Sequence, residues 1–217
     1  RDDDLKKIIS ELNAKLNQMG QKLFTKKNQD KNEKPSENLK INRAFTHIIK
    51  KNNSNKINYN NLVIIPYLPL KTSEDKNQYT LVLDLDETLI SFKLNREQND
   101  EGVLKLRPNL YKFLDNVMEY YEIILFTEAS QSYIDLLINA LEENKKYFEY
   151  KLYRQHTVIR GNDFILDLTR IGRPLNSIII VDNMPQNFRL QKGNGINIKS
   201  FWGEDDEEDN SLLDLMT

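Results

Sequence analysis

The chain has 217 residues, of which 29% are charged and 39% hydrophobic, and its 31 basic and 33 acidic side chains leave a net charge of −2. That balance excludes an overall pull toward nucleic acid or an anionic membrane surface, and no apolar run approaches the ~20 residues needed to span a bilayer. With no cysteine, disulfides, thiolate metal sites and cysteine nucleophiles are excluded too; the polar surplus describes a soluble protein, expected inside the cell, while the absence of cysteine leaves its compartment open.

Residues 1–27 open with Asp2, Asp3 and Asp4 and then place Leu5, Ile9, Leu12, Leu16, Met19 and Leu23 at alternating steps of four and three. This heptad seam predicts an amphipathic helix whose stripe, residues 5–23, needs an apolar surface on a protein partner or on its own domain. Residues 28–61 are rich in Asn and Lys and read as a polar linker. Leu62 to Pro69 is apolar but interrupted by Pro66 and Pro69, which predicts an extended strap or a sheet edge. The core-forming domain is expected to run from residue 62 to 217.

Tyr79 to Ile90 contains the continuous apolar run Leu81-Val82-Leu83 followed by Asp84, Asp86 and Thr88. A continuous run suits a central parallel strand covered on both faces, with its chemistry at the carboxyl end. Ser91 to Leu106 reads as a hairpin flap around the Asn99–Gly102 cluster. Pro108 is expected to open a helix reaching about Tyr120, Glu122 to Thr127 to form a second buried strand, and Ser130 to Glu143 a second helix. Tyr150–Tyr153 and Phe164–Leu168 are short strand-like pieces. Ser177 to Asn183 is a third buried strand, Gly195 to Ile198 a fourth, and Ser211 to Met216 a final helix. Strands alternating with helices imply a parallel α/β sheet with right-handed crossovers.

Three of these strands end in polar residues: Asp84 with Asp86, Thr127, and Asp182 with Asn183. Oxygens gathered without thiols or histidine form a hard site, which suits Mg²⁺, and Mg²⁺ commonly keeps phosphate oxygens in its shell. A carboxylate facing a metal-bound phosphate can attack phosphorus, and an acid two residues on can protonate the leaving oxygen.

Asp84-Leu85-Asp86-Glu87-Thr88 resembles the DxDxT signature of the haloacid dehalogenase superfamily. Together with Phe126-Thr127-Glu128-Ala129-Ser130 and Ile180-Val181-Asp182-Asn183, it resembles the C-terminal-domain phosphatases, including the small CTD phosphatases and their LIM-interactor-like relatives. The resemblance implies a Rossmann-like three-layer α/β domain of the haloacid dehalogenase type with a small hairpin flap, here preceded by a helical arm. It also implies a Mg²⁺-dependent serine/threonine phosphatase acting on a phosphoprotein through an aspartyl-phosphate. Asp84 would be the nucleophile and a metal ligand. Asp86 would be the general acid/base, giving its backbone carbonyl to the metal. Thr127 and Arg154 would bind the phosphoryl group, Thr88 would shape the loop after the strand, and Asn183 would ligate the metal with support from Asp182.

Two departures accompany the resemblance. Glu128 follows Thr127 where the family has alanine, and Leu166 stands where the family has a lysine before an Asp-Leu-Ser/Thr-Arg segment, here Asp167 to Arg170. Such a lysine neutralises the phosphate and the nucleophile. Arg160, Arg170 and Arg173 are the cations nearest in sequence that could replace it. The alternative reading is a weakly active or inactive phosphatase-like domain serving as a structural or binding subunit.

Overall fold

The computed structural model describes residues 65–72, 74–95, 101–204 and 209–217. The predicted arm and linker, residues 1–61, lie outside them. In chain order the elements are β1 (Tyr79–Leu83), β2 (Ile90–Asn95), β3 (Glu101–Leu106), α1 (Leu110–Val117), β4 (Tyr121–Phe126), α2 (Gln131–Leu141), β5 (Tyr150–Leu152), β6 (Val158–Arg160), β7 (Asp163–Ile165), β8 (Ile178–Asp182), β9 (Gly195–Asn197) and α3 (Ser211–Asp214). They fall into two units. One includes Phe92–Lys105 and Asp135–Glu143, with most of the two-stranded β2–β3 hairpin. The other comprises Leu62–Ser91, Leu106–Ile134 and Asn144–Thr217.

The second unit is built on a five-stranded sheet in the order β5-β4-β1-β8-β9, each neighbouring pair parallel. In chain order these are the third, second, first, fourth and fifth strands of the sheet, so the winding reverses between β1 and β8. This is the Rossmann-like α/β strand order, in which ligands bind at the reversal. On one face Val82, Ile124, Phe126, Leu152, Ile178 and Ile180 pack with Leu68, Leu166, Leu168, Ile171 and Phe188. The uninterrupted apolar runs of β1, β4 and β8 are explained by this position, since Leu81, Val82, Leu83, Ile123, Ile124 and Leu125 are all buried.

Several element boundaries differ from the sequence expectation. Pro108 does not open a helix: Asn109, in the left-handed conformation at φ 64°, sits at the N-cap and α1 starts at Leu110. The apolar face of α1 is the expected one, Leu110, Phe113, Leu114 and Val117. Of the strap, the described residues 65–69 form no strand. Tyr67 N donates to Arg170 O at 2.8 Å and Leu68 N to Ile171 O at 3.2 Å, which seats it along the turn Leu168–Arg170. The expected strand Phe164–Leu168 stops at Ile165, because Asp167 then accepts from Thr169 N and caps that 3-10 turn. Its antiparallel partner β6 had no clear alternation to mark it. The last helix is one turn long, Ser211–Asp214. Among the described residues no helix is long and apolar enough to cross a membrane.

Candidate active site at the carboxyl ends of the central strands

The register of the sheet brings the polar tips together. Leu83 lies opposite Leu125 on one side and Val181 on the other. Asp84 N continues the ladder to Val181 O at 3.1 Å, so Asp84 comes one step beyond, level with Asp182. Side chains alternate along a strand. Asp84 and Asp182 therefore follow Val82 and Ile180 on the same sheet face, the face that holds Leu166.

The loop after β1 then turns tightly. Leu85 O accepts from the backbone N–H groups of Thr88, Leu89 and Ile90 at 3.2, 2.9 and 3.1 Å, and Glu87 takes up φ 59°. This turn sends the buried Thr88 hydroxyl back to the strand tip. Its Oγ1 is 3.1 Å from Asp84 Oδ2 and 3.2 Å from Asn183 Oδ1, and it accepts from Asn183 N at 3.2 Å. Asn183 Nδ2 donates to Glu87 Oε2 at 3.1 Å and to Ser200 Oγ at 3.0 Å, which orients the amide oxygen toward Thr88. Thr127 follows β4 directly; it is 1% exposed, its N donates to Leu152 O at 3.1 Å, and its Oγ1 accepts from Ala129 N at 3.2 Å.

Asp182 does not bond Asn183's amide. Its carboxylate accepts from Met184 N at 2.7 Å and from Asn187 Nδ2 at 3.1 and 3.4 Å. Asn187 O in turn receives Leu166 N at 2.8 Å. Asp86 Oδ1 accepts from the Tyr133 hydroxyl at 3.0 Å. Arg154 is held beside the loop after β4, its Nε donating to Glu128 O at 2.6 Å and its guanidinium 4.9 Å from the centre of the Phe164 ring.

The electrostatics are those of crowded buried acids. Burial, then the charges of Asp182 and Asp86, push the Asp84 carboxyl well above its usual range. Burial likewise pushes Asp86 and Asp182 up to about 6, with hydrogen bonds from Tyr133 and from Met184 and Asn187 opposing. Among the described residues, no lysine or arginine stands among the main causes of these three shifts. Leu166 is fully buried in the apolar cluster. Arg173 is committed to the opposite end of the sheet, where it meets both Glu122 oxygens at 2.7 Å. Arg170 lies 3.6 Å from Asp167 and donates to the Tyr67 hydroxyl at 3.3 Å. Arg160 is exposed on β6.

Asp84, Asp182 and Asn183 with the carbonyl of Asp86 offer hard oxygen donors and crowded carboxyl groups, which fits Mg²⁺ bound through few protein ligands, the rest of its shell being water and phosphate. Among the described residues no group of three or more His, Cys, Asp or Glu side chains is placed to hold a metal ion.

Sequence reading missed the groups that hold these residues. Arg107, 1% exposed, donates from Nη1 to Thr88 O at 2.9 Å, from Nη2 to Lys199 O at 2.7 Å, and pairs with Asp209 at 2.9 and 3.1 Å. Arg107, Asn187, Ser200 and Tyr133 each act across 5 to 102 residues of sequence, and no spacing rule marks such partners.

Comparison with known proteins gives one consistent answer. Residues 79–217 match the family model described as NLI interacting factor-like phosphatase. The chain is similar to "CTD small phosphatase-like protein 3" of Caenorhabditis elegans, 36% identical over 163 residues that cover 69% of this chain and 56% of that protein. It is similar to "Phosphatase PSR1" of Saccharomyces cerevisiae, 33% identical over 69% of this chain and 37% of that one. "CTD nuclear envelope phosphatase 1B" of Danio rerio is 29% identical over 79% and 80% of the two chains. A solved structure of the fission yeast RNA polymerase II CTD phosphatase Fcp1 bound to beryllium fluoride overlaps 57% of this chain and 42% of that one at a TM-score of 0.49 and 16% identity. The chain spans 56% and 33% of the length of the first two relatives named CTD small phosphatase-like in Caenorhabditis elegans.

Proposed function

Because the chain belongs to the NLI interacting factor-like phosphatase family, we propose that it hydrolyses phosphoserine or phosphothreonine in a protein, with residues 62–217 as the catalytic domain. One observation carries the reading: Asp84 stands level with Asp182 at the sheet's reversal, with Thr88 joining Asp84 to Asn183. Two buried carboxyl groups on one sheet face, with the charge of Asp182 raising the pKa of Asp84, are costly in a fold, and a phosphate-handling metal site gives them a use.

In the proposed reaction Asp84 attacks phosphorus, forming a carboxyl oxygen–phosphorus bond as the bond to the serine or threonine oxygen breaks. Asp86 delivers its proton to that departing oxygen. Asp86, now a carboxylate, takes a proton from water as the water oxygen attacks phosphorus; inorganic phosphate leaves and Asp84 is regenerated. Asp84, Asn183 and the Asp86 carbonyl would hold Mg²⁺, with Asp182 supporting that shell. When bound, Mg²⁺ supplies positive charge to the phosphoryl oxygens. Thr127 and Arg154 orient the phosphoryl group, and Thr88 fixes the Asp84 carboxylate through its hydroxyl.

A second reading, a weakly active domain that serves a larger assembly through residues 5–23, is favoured by Leu166, an apolar side chain on the carboxylates' own face. The test is hydrolysis of a phosphoserine peptide and an aryl phosphate with Mg²⁺, beside Asp84→Asn. Wild-type turnover that disappears in a folded Asp84→Asn protein is the expected result. Turnover absent from the wild type, or equal in the variant, rejects the enzyme reading.

A further inference from the structure

We infer that Tyr133 is a positioning residue of this reaction, holding the Asp86 carboxyl so that its other oxygen, Oδ2, presents the proton to the leaving group. The inference rests on the reading of Asp86 as general acid. Tyr133 lies in the first turn of α2, where its N and that of Ile134 both donate to Ser130 O at 3.1 Å. The helix start thus fixes the ring's origin directly after the loop that carries Thr127. The phenol reaches across 47 residues of sequence to Asp86 Oδ1 at 3.0 Å.

The direction of that bond decides the chemistry. The Tyr133 hydroxyl is the donor and Asp86 Oδ1 the acceptor. A protonated carboxyl carries its hydrogen on one oxygen and accepts at the other. With Oδ1 accepting from Tyr133, the hydrogen belongs on Oδ2. Without the phenol the carboxyl has a broad torsional well about its last bond, and Glu87 and Glu128 close by repel its charge. Tyr133 therefore selects both the orientation and the proton-bearing oxygen.

A group that places a general acid matters in proportion to the leaving group's need for a proton. The experiment measures kcat/KM in saturating Mg²⁺ for aryl phosphates of increasing phenol basicity and for a phosphoserine peptide, with wild type, Tyr133→Phe, Tyr133→Met and Asp86→Asn. Tyr133→Phe is expected to lose about tenfold or more on the phosphoserine peptide and the most basic phenol, but less than about threefold on p-nitrophenyl phosphate, whose anion leaves unaided. Tyr133→Met, which lacks the ring as well, must show the same selectivity, and retained p-nitrophenyl phosphate turnover reports that each variant is folded. An equal loss on all substrates, or none, overturns the inference. Asp86→Asn separates the two levels: if its loss grows with leaving-group basicity while that of the Tyr133 variants does not, the Tyr133 assignment alone fails. If Asp86→Asn shows no such dependence, the general-acid reading fails and takes this one with it.

Discussion

Leu166→Lys tests the charge balance of the site. Leu166 is fully buried, and its N–H bonds Asn187 O at 2.8 Å while Asn187 Nδ2 holds Asp182 at 3.1 Å. One residue therefore links this backbone to the acid. A buried leucine contributes about 2–3 kcal/mol, part of which a lysine stem recovers by packing in the same place. Against that loss stands the strain of the acids. Asp182 is pushed from 3.8 to about 6, which at about 1.4 kcal/mol per tenfold amounts to ~3 kcal/mol at neutral pH, and an ammonium on the same sheet face relieves it.

The substitution is thus expected to leave the metal-free protein within about 1–2 kcal/mol of wild type in urea unfolding followed by circular dichroism. Leu168→Lys provides the contrast. It enters the same apolar cluster away from the strand-tip acids Asp84 and Asp182 and should cost about 4 kcal/mol or more. Turnover of an aryl phosphate by Leu166→Lys should rise by about tenfold or more, since one preorganised charge is worth on the order of 10²–10³ in rate. The reasoning is refuted if Leu166→Lys is as destabilising as Leu168→Lys and turnover is unchanged or lower.

Two further outcomes follow from the ion pairs. Arg107→Met should destabilise by about 3–5 kcal/mol in the same unfolding assay, because Asp209 and the carbonyls of Thr88 and Lys199 lose a buried cation, and turnover should fall with it as the Thr88 loop loosens. The pH dependence of stability in the metal-free protein has two opposed limbs. Asp86 and Asp182, raised to about 6, bind protons more tightly folded than unfolded, so stability rises as pH falls from neutrality through about 6. Asp209 and Glu122, lowered from 3.8 and 4.5 chiefly by hydrogen bonds from Arg107 and Arg173 that outweigh burial, contribute stability that is complete above those values and lost as pH falls through the depressed ones. The first gain accrues until the unfolded carboxyl value of 3.8 is approached, and the second loss begins only below about 4.5. Chemical unfolding should therefore show stability rising from neutral pH to a maximum at about 4; a monotonic decline from neutral pH to acid would contradict the assigned shifts.

The sheet was legible because its signal is local. Leu81-Val82-Leu83, Ile123-Ile124-Leu125 and Ile178-Ile179-Ile180 are unbroken apolar runs of strand length, and each ends where a polar residue leaves the buried zone. Boundaries were less legible where one side chain's torsion or hydrogen bond decides them. Nothing in Pro108-Asn109-Leu110 announces that Asn109 adopts φ 64° and delays α1, and Asp167's cap on Thr169 competes with a strand that the apolar residues Phe164 to Leu168 favour.

In the candidate site, the polar groups that the sheet brings together were written in strand ends, but their electrostatic balance was not. Asp84 and Asp182 repel each other because Leu83–Val181 is a registered pair and both acids follow on one face; a register shifted by one residue would have turned one of them away. Register is a property of the assembled sheet, as are the long-range bonds from Arg107, Tyr133 and Asn187 that hold the carboxylates in place. The same parity argument gives Leu166 its significance. An apolar residue at that position would be ordinary on any other face, whereas here it lies on the face that carries both acids; in the proposed reaction the compensating charge would come from the bound metal and from Arg154.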